Sequence, residues 1–165
     1  MSTATLARPR VLPVVAPAAP PVAALRLVMA SRRVLAESHA ASDPLDRFAF
    51  AHLAALRAAA AVLADRTTAT RAKSRRPTSV WTLLTGVAPE LEPWASYFAA
   101  GAGKRAAAEA GVRGAVTTRE ADDLMRDADV FVSLVETKLG LLSLPVVEGT
   151  SSDRARRATP RRSGH

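Results

Sequence analysis

Hydrophobic residues recur at intervals of three and four along most of residues 22–140, the pattern of helices that bury one face. The last of these helices is the clearest. Thr117 and Glu120 form a capping-box sequence, and apolar residues continue through 121–139 at helical spacing for about five turns. Gly140 supplies a stop signal. This segment predicts a long amphipathic helix.

Two more long helices are predicted in the first half of this region. Pro20 and Pro21 precede a helix that runs to about Ala40, since proline fits the first turn of a helix. Residues 42–44 (Ser-Asp-Pro) begin a second helix that runs to about Asp65, with an apolar stripe rich in alanine. Small side chains on that stripe predict close approach of a neighbouring helix.

A short helix and a longer one fill the middle of the chain. A polar cap at Thr78 or Ser79 begins the short helix, and the longer helix runs from Trp94 toward Ala110. Gly101 either admits a close helix contact or bends the longer helix. The predicted fold is therefore all-α, an up-and-down bundle of four main helices plus one short helix.

The flanking segments lack helical periodicity. Residues 1–21 are rich in Pro and Ala, and residues 141–165 become rich in Ser, Arg and Gly, so both are predicted to be disordered. The prolines of the leader interrupt the helix that a secretory signal needs. No uninterrupted run of about 18 apolar residues predicts a membrane span. One domain is expected, residues 22–140.

Composition narrows the chemistry. The chain has 165 residues, of which 48% are hydrophobic and only 4% aromatic, and it contains no Cys. The core must therefore be built from Ala, Leu and Val, without disulfides or a thiolate metal site. The absence of Cys fits a cytoplasmic protein. We expect no cofactor.

The net charge of +8 is unevenly distributed. Residues 66–76 carry +5, residues 151–165 carry +4 and residues 1–21 carry +2, so the remaining residues together carry −3. Such segments predict contact with a polyanion, and an Arg-rich codon bias is the alternative explanation. The candidate nucleic-acid-binding residues are Arg66, Arg71, Lys73, Arg75, Arg76, Arg154, Arg156 and Arg157.

Arg47 and His52 are the candidate catalytic residues. In one hypothesis His52 is a general acid and base and Arg47 holds an RNA phosphate, across a dimer interface. Five residues turn a helix by about 140°, which places the two side chains on different faces. In the other hypothesis His52, which falls within the apolar stripe, is a hydrogen-bonded packing residue and Arg47 is a surface charge. The second hypothesis is favoured.

Other catalytic patterns are not found in the sequence. There is no Ser-His-Asp arrangement and no Gly-rich strand–turn–helix that would hold a phosphate. Acidic residues are frequent between Glu120 and Asp129, but helical phase spreads them over the solvent side, beside Arg119 and Arg126. We therefore predict no metal site.

Several short segments follow one another in a distinctive order. They are residues 46–48 (DRF), 52–60 (HLAALRAAA), 77–81 (PTSVW), the Trp94–Phe98 helix and 118–124 (TREADDL). Together they resemble a small actinobacterial subfamily of HEPN-domain proteins over about residues 22–139. The resemblance implies an up-and-down helical bundle, often dimeric, in a family whose members bind nucleotides or RNA.

Many HEPN proteins are metal-independent ribonucleases in which four to six residues separate an Arg from a His. Arg47 and His52 match that spacing. In the nuclease members, however, the motif lies late in the bundle, whereas here it opens the second helix. A polar residue commonly follows the Arg in the family, and Phe48 follows it here.

We therefore predict a non-catalytic or weakly catalytic HEPN-type bundle that binds nucleic acid, a nucleotide or a partner protein. One alternative is an RNA endonuclease that uses Arg47 and His52. Another is a structural adaptor, which a large exposed apolar patch would favour. A homodimer is expected, because a short bundle with Ala-rich faces leaves apolar surface to cover.

Overall fold

The computed structural model describes residues 19–66 and 79–141. Within these two ranges it contains six α-helices, a short 3-10 turn and no strand, which confirms the all-α class. Residues 1–18, 67–78 and 142–165, which include most of the flanking segments and the basic residues 67–76, lie outside the described ranges. The helices are α1 (Val22–Ala40), α2 (Pro44–Arg66), α3 (Val80–Val87), α4 (Glu92–Ala100), α5 (Ala102–Glu109) and α6 (Thr118–Lys138), and the 3-10 turn is Pro89–Leu91.

Polar side chains cap three helices at or close to the positions where the sequence predicts them. The Asp43 carboxylate accepts a hydrogen bond from the backbone N–H of Leu45 at 2.8 Å. The Ser79 hydroxyl caps α3. At the start of α6, Thr117 and Glu120 form the complete capping box. Each cap satisfies backbone N–H groups that have no partner inside the helix.

Helices α1 and α2 form an antiparallel hairpin. The Ser31 hydroxyl donates to the carbonyl oxygen of Ala54 at 2.7 Å, and the Ser38 hydroxyl donates to that of Arg47 at 2.8 Å. Both serines are fully buried. Because each bonds a backbone carbonyl across the interface, the two helices can approach closely without an unsatisfied hydroxyl.

Helix α6 runs parallel to α2. Near their starts, Arg47 of α2 pairs with Asp122 of α6. At their ends, the Glu90 carboxylate accepts hydrogen bonds from Arg66 of α2 at 2.7 Å and from Lys138 of α6 at 3.0 Å. The two helices therefore begin together at one end of the bundle and finish together at the other.

The ends of the described segments meet at that second end. One cavity of about 510 Å³ is lined by Ala19 and Pro20, by Asp65 near the end of α2, and by residues 137–140 at the end of α6. The chain therefore enters α1, leaves α2 and leaves α6 within one region. We call this region the exit end, because residues 1–18 end there and residues 67–78 and 142–165 begin there.

The predicted helix from Trp94 toward Ala110 is divided into α4 and α5 at Gly101. The backbone N–H of Gly101 bonds the carbonyl oxygen of Phe98 at 3.1 Å, which tightens the chain at the junction. A Cβ on Gly101 would lie 3.3 Å from Cδ2 of His52. Gly101 thus serves both predicted purposes, since it marks the break and admits a side chain from α2.

Aromatic side chains are few, but four of them share one cluster. Phe98 is fully buried and stacks on Trp81, with ring centroids 5.3 Å apart. Its ring also meets Trp94 at 6.0 Å and Phe131 at 5.3 Å. This cluster joins α3, α4 and α6, while alanines fill the centre of α2. Aromatic packing therefore supplies the bulk that the small alanine side chains lack.

Helix α2 is long and apolar enough to cross a membrane if it is judged by length and composition alone. Half of its most apolar stretch is buried inside the bundle. The sequence shows no uninterrupted apolar run because His52 and Arg57 interrupt this helix. A mostly buried core helix passes the same test, so α2 is weak evidence for a membrane span.

Candidate functional site

His52 is buried at the interface between α2 and the α4–α5 junction. Its side chain is fully enclosed, and Nε2 lies 2.8 Å from the carbonyl oxygen of Phe98. A carbonyl only accepts, so Nε2 carries the proton and Nδ1 of the neutral ring is an acceptor. Within residues 19–66 and 79–141, Nδ1 has no hydrogen-bond partner.

Two aromatic rings hold the imidazole of His52 in place. It meets Trp81 and Phe98 edge to face, with ring centroids 5.8 and 6.0 Å away. Burial lowers the pKa of His52 below its ordinary value, and the Phe98 carbonyl offsets this only in part. The positive charge of Arg105 lowers this pKa further. His52 is therefore neutral near pH 7.

Arg47 joins the end of α1 to the start of α6. Its Nε and Nη2 donate to the carbonyl oxygen of Ala41 at 3.1 and 2.7 Å, and Nη1 pairs with Asp122. The Ala41 carbonyl follows the last turn of α1, where a cation also meets the negative end of the helix dipole. Arg47 is thus more than a surface charge, because it links α2 to the residue that follows α1 and to a side chain of α6.

The two candidate catalytic residues contact different parts of the bundle. His52 bonds α4 and packs on α3, whereas Arg47 bonds the end of α1 and the start of α6. They share no hydrogen-bond partner among the described residues. The Arg-x4-His spacing therefore does not correspond to one hydrogen-bonded unit within the described chain.

A groove of about 320 Å³ lies beside His52, between α2, α3 and α5. We call it the α3–α5 groove. Its polar lining includes Ser79, Arg105 and Glu109, and the Nε of Arg105 donates to the Glu109 carboxylate at 2.8 Å. Arg105 and Glu109 were not among the residues that the sequence predicted for a site. Their i,i+4 spacing on a short helix was the available signal.

The basic candidate residues are mostly outside the described ranges. Arg66 is the exception, and it donates to the carbonyl oxygen of Val87 at 2.6 Å and to Glu90 at 2.7 Å. Arg71, Lys73, Arg75, Arg76, Arg154, Arg156 and Arg157 lie in residues 67–78 and 142–165, outside the described chain.

The acidic residues of α6 are used within the protein. Arg32 donates to Glu136 at 2.7 and 2.6 Å and to Asp129 at 2.8 Å. These bonds raise the pKa of Arg32, mainly through Glu136. Asp123 pairs with Arg126. In the part of the chain that the structure describes, no three potential ligands converge as they would around a metal ion.

Comparison with known proteins agrees with the all-helical bundle. A family model described as SAV_6107-like HEPN matches residues 36–136, which is more than half of the chain. The match extends from the last turn of α1 into the last turn of α6. No curated protein and no solved structure matches significantly. The chain belongs to the HEPN family, in the group described as SAV_6107-like.

Proposed function

We propose that this HEPN domain is a non-catalytic module that binds single-stranded RNA, with the basic residues of 66–76 and 151–165 contacting phosphates. The proposal is carried by the observation that the segments flanking α1, α2 and α6 all meet the bundle at the exit end. The chain enters and leaves the helices there, at Ala19, near Asp65 and at Gly140. Residues 1–21, 66–76 and 151–165, which hold +11 in total, are therefore each tethered at one end or the other to one region of a bundle whose remaining charge is −3.

The ion pairs of the bundle also support this assignment. Several of its cations, Arg32, Arg47 and Lys104 among them, already pair with carboxylates of α6. A paired cation must give up its partner before it can bind a phosphate. The segments outside the described residues are therefore the better source of phosphate contacts.

The same geometry argues against catalysis by Arg47 and His52. A phosphate-binding guanidinium needs free N–H donors directed at the ligand, but Arg47 directs three of its nitrogens at Ala41 and Asp122. A general acid or base must reach the proton that it transfers. The proton-bearing Nε2 of His52 is committed to Phe98.

A metal-independent endonuclease is the alternative function. The observation that favours it is that Nδ1 of His52 has no hydrogen-bond partner in the described part of the chain, since a buried acceptor without a donor is uncommon. We further propose a homodimer in the cytoplasm. Met29 and Val130 are large exposed apolar residues on α1 and α6, which a second copy would cover. Light scattering at tens of micromolar protein decides between dimer and monomer.

The test is binding of a fluorescent single-stranded RNA, measured by anisotropy. Replacing Arg71, Lys73, Arg75 and Arg76 by Ser and ending the chain at Thr150 should remove most binding without changing the thermal melt. The control replaces four exposed bundle arginines by Ser, namely Arg26, Arg33, Arg113 and Arg119, and is compared with the full-length variant that carries only the four Ser substitutions, so that each loses four positive charges. Equal losses of affinity in these two variants would contradict the proposal, because net charge alone would then explain binding.

A further inference from the structure

The α3–α5 groove has the size and walls of a small-ligand site. Its volume of about 320 Å³ lies near the lower end of the range of such sites, roughly 300–1,000 Å³. The walls are mostly apolar, with Leu56 from α2, Val80 from α3, and Ala102 and Ala106 from α5. Ala102 and Ala106 are exposed, so the groove opens to solvent along α5.

Hydrogen-bonding groups of both kinds surround these apolar walls. Arg105 uses Nε on Glu109, and its two terminal nitrogens have no hydrogen bond within the described residues. The second carboxylate oxygen of Glu109 is also without one there. His52 lines the same groove, and its Nδ1 is a buried acceptor that lacks a donor among those residues.

The mixture of groups restricts the ligand. A free phosphate is disfavoured, because the Glu109 carboxylate lies beside the Arg105 guanidinium. A purely apolar ligand would leave the acceptor of His52 unsatisfied. A nucleobase fits both requirements, since one flat ring carries N–H donors for a carboxylate or an imidazole and acceptors for a guanidinium.

We propose that the α3–α5 groove accepts one unpaired nucleobase of the bound strand. Glu109 and His52 would accept N–H groups of the base, and Arg105 would donate to a ring nitrogen or carbonyl. The inference rests on the proposed function, which assigns phosphate binding to the basic residues of 66–76. Ser79, only three residues after Arg76, lines the groove, so a strand held by that segment passes close to it.

The experiment compares two strands of equal length and charge on the full-length protein. One strand is entirely abasic, and the other carries a single base in an otherwise abasic backbone. We expect the base to tighten binding about tenfold, the contribution of one good pair of hydrogen bonds. Ala106→Leu should fill the groove and abolish this preference while leaving the affinity for the abasic strand unchanged. Glu109→Gln should reduce the preference.

Ala36→Leu is the matched control, since Ala36 is an exposed alanine within α1. It should keep the tenfold preference. Equal binding of the two strands by the wild type overturns the groove assignment but leaves the proposed function intact. The assignment also falls if Ala36→Leu abolishes the preference as Ala106→Leu does. If neither strand nor ordinary RNA binds, the proposed function itself is wrong.

Discussion

The Nε2 of His52 donates a hydrogen bond to the carbonyl oxygen of Phe98 at 2.8 Å, at the point where α4 gives way to α5. Gly101 lies against the same imidazole. One side chain of α2 therefore contacts the break between α4 and α5. This contact explains how a polar residue is accommodated within an apolar stripe, and several predictions depend on it.

His52→Ala should lower the free energy of unfolding by about 2–4 kcal/mol, because it leaves a cavity between Trp81 and Phe98 and removes one of the hydrogen-bond donors to the Phe98 carbonyl. Urea denaturation followed by circular dichroism measures the change. The endonuclease alternative predicts a different result, a loss of RNA cleavage. In that case the wild type cuts RNA without metal, and folded His52→Ala and Arg47→Ala variants do not.

Gly101 and Gly103 form a natural pair for testing the junction. A Cβ at Gly101 would lie 3.3 Å from the His52 ring, whereas a Cβ at Gly103 would meet nothing within 4 Å. Gly103→Ala should stabilise the protein by roughly 0.5–1 kcal/mol through helix propensity. Gly101→Ala should give no such increase in stability, or should lower stability, because its Cβ would crowd the His52 ring. Similar melting temperatures for the two variants would show that the contact is loose.

The stability of the protein should begin to fall as the pH is lowered through about 6.5. Burial lowers the pKa of His52, so below this pH the unfolded chain binds a proton that the folded chain excludes. The stabilising contribution of neutral His52 is complete above the pKa that His52 has in the unfolded chain. It is lost as the pH falls toward the lower pKa that His52 has in the folded protein. Urea midpoints at several pH values measure the change, and His52→Gln should flatten it.

The carboxylates of Glu90 and Glu120 affect stability at a lower pH than His52 does, so the two effects can be measured separately. Hydrogen bonds hold the pKa of Glu90 and of Glu120 at about 2, the latter chiefly through Lys104. Their stabilising effect is lost only as the pH falls below about 4.5 toward these values. A decline that begins only below pH 4.5 would therefore assign acid sensitivity to the carboxylates alone.

Arg47→Lys should lower stability by about 1–2 kcal/mol, because a single ammonium cannot bond the Ala41 carbonyl and Asp122 as the planar guanidinium does. Arg33→Lys, at an exposed position of α1, is the matched control and should have little effect. RNA affinity should be unchanged in both variants. A loss of affinity in folded Arg47→Lys alone would place Arg47 at the RNA.

RNA binding through the basic segments should be steeply salt-dependent and insensitive to sequence. The logarithm of affinity should fall with the logarithm of salt concentration with a slope of about −0.7 per phosphate contacted on a single strand. Removing residues 151–165 should make that slope shallower. A slope near zero in the wild type would show that phosphate contacts contribute little.

Local signals in the sequence predicted most of the fold. The capping box at Thr117 and Glu120, the Asp43 cap and the apolar stripe of α2 depend on neighbours three or four residues away. The sequence predicted a division at Gly101 only as one of two alternatives. The imidazole of His52, a residue 49 positions earlier in the sequence, lies against Gly101, and no local pattern reports such a contact.

The candidate site was less predictable for the same reason. The burial of His52 followed from helical phase, but its Phe98 acceptor and the bonds of Arg47 to Ala41 and Asp122 did not. The α3–α5 groove brings together residues from three helices. Spacing along one helix shows which side chains share a face, but it does not show what packs against that face.

The exit end has a counterpart at the opposite pole of the bundle. Acidic residues gather there, with Asp43 and Asp46 at the start of α2 and Glu120, Asp122 and Asp123 at the start of α6. Arg47, Lys104 and Arg126 pair with three of these carboxylates, so little basic charge is left free there, whereas the segments that begin or end at the exit end hold +11. We therefore expect the field of a polyanion to draw the exit end toward it before contact, which raises the association rate.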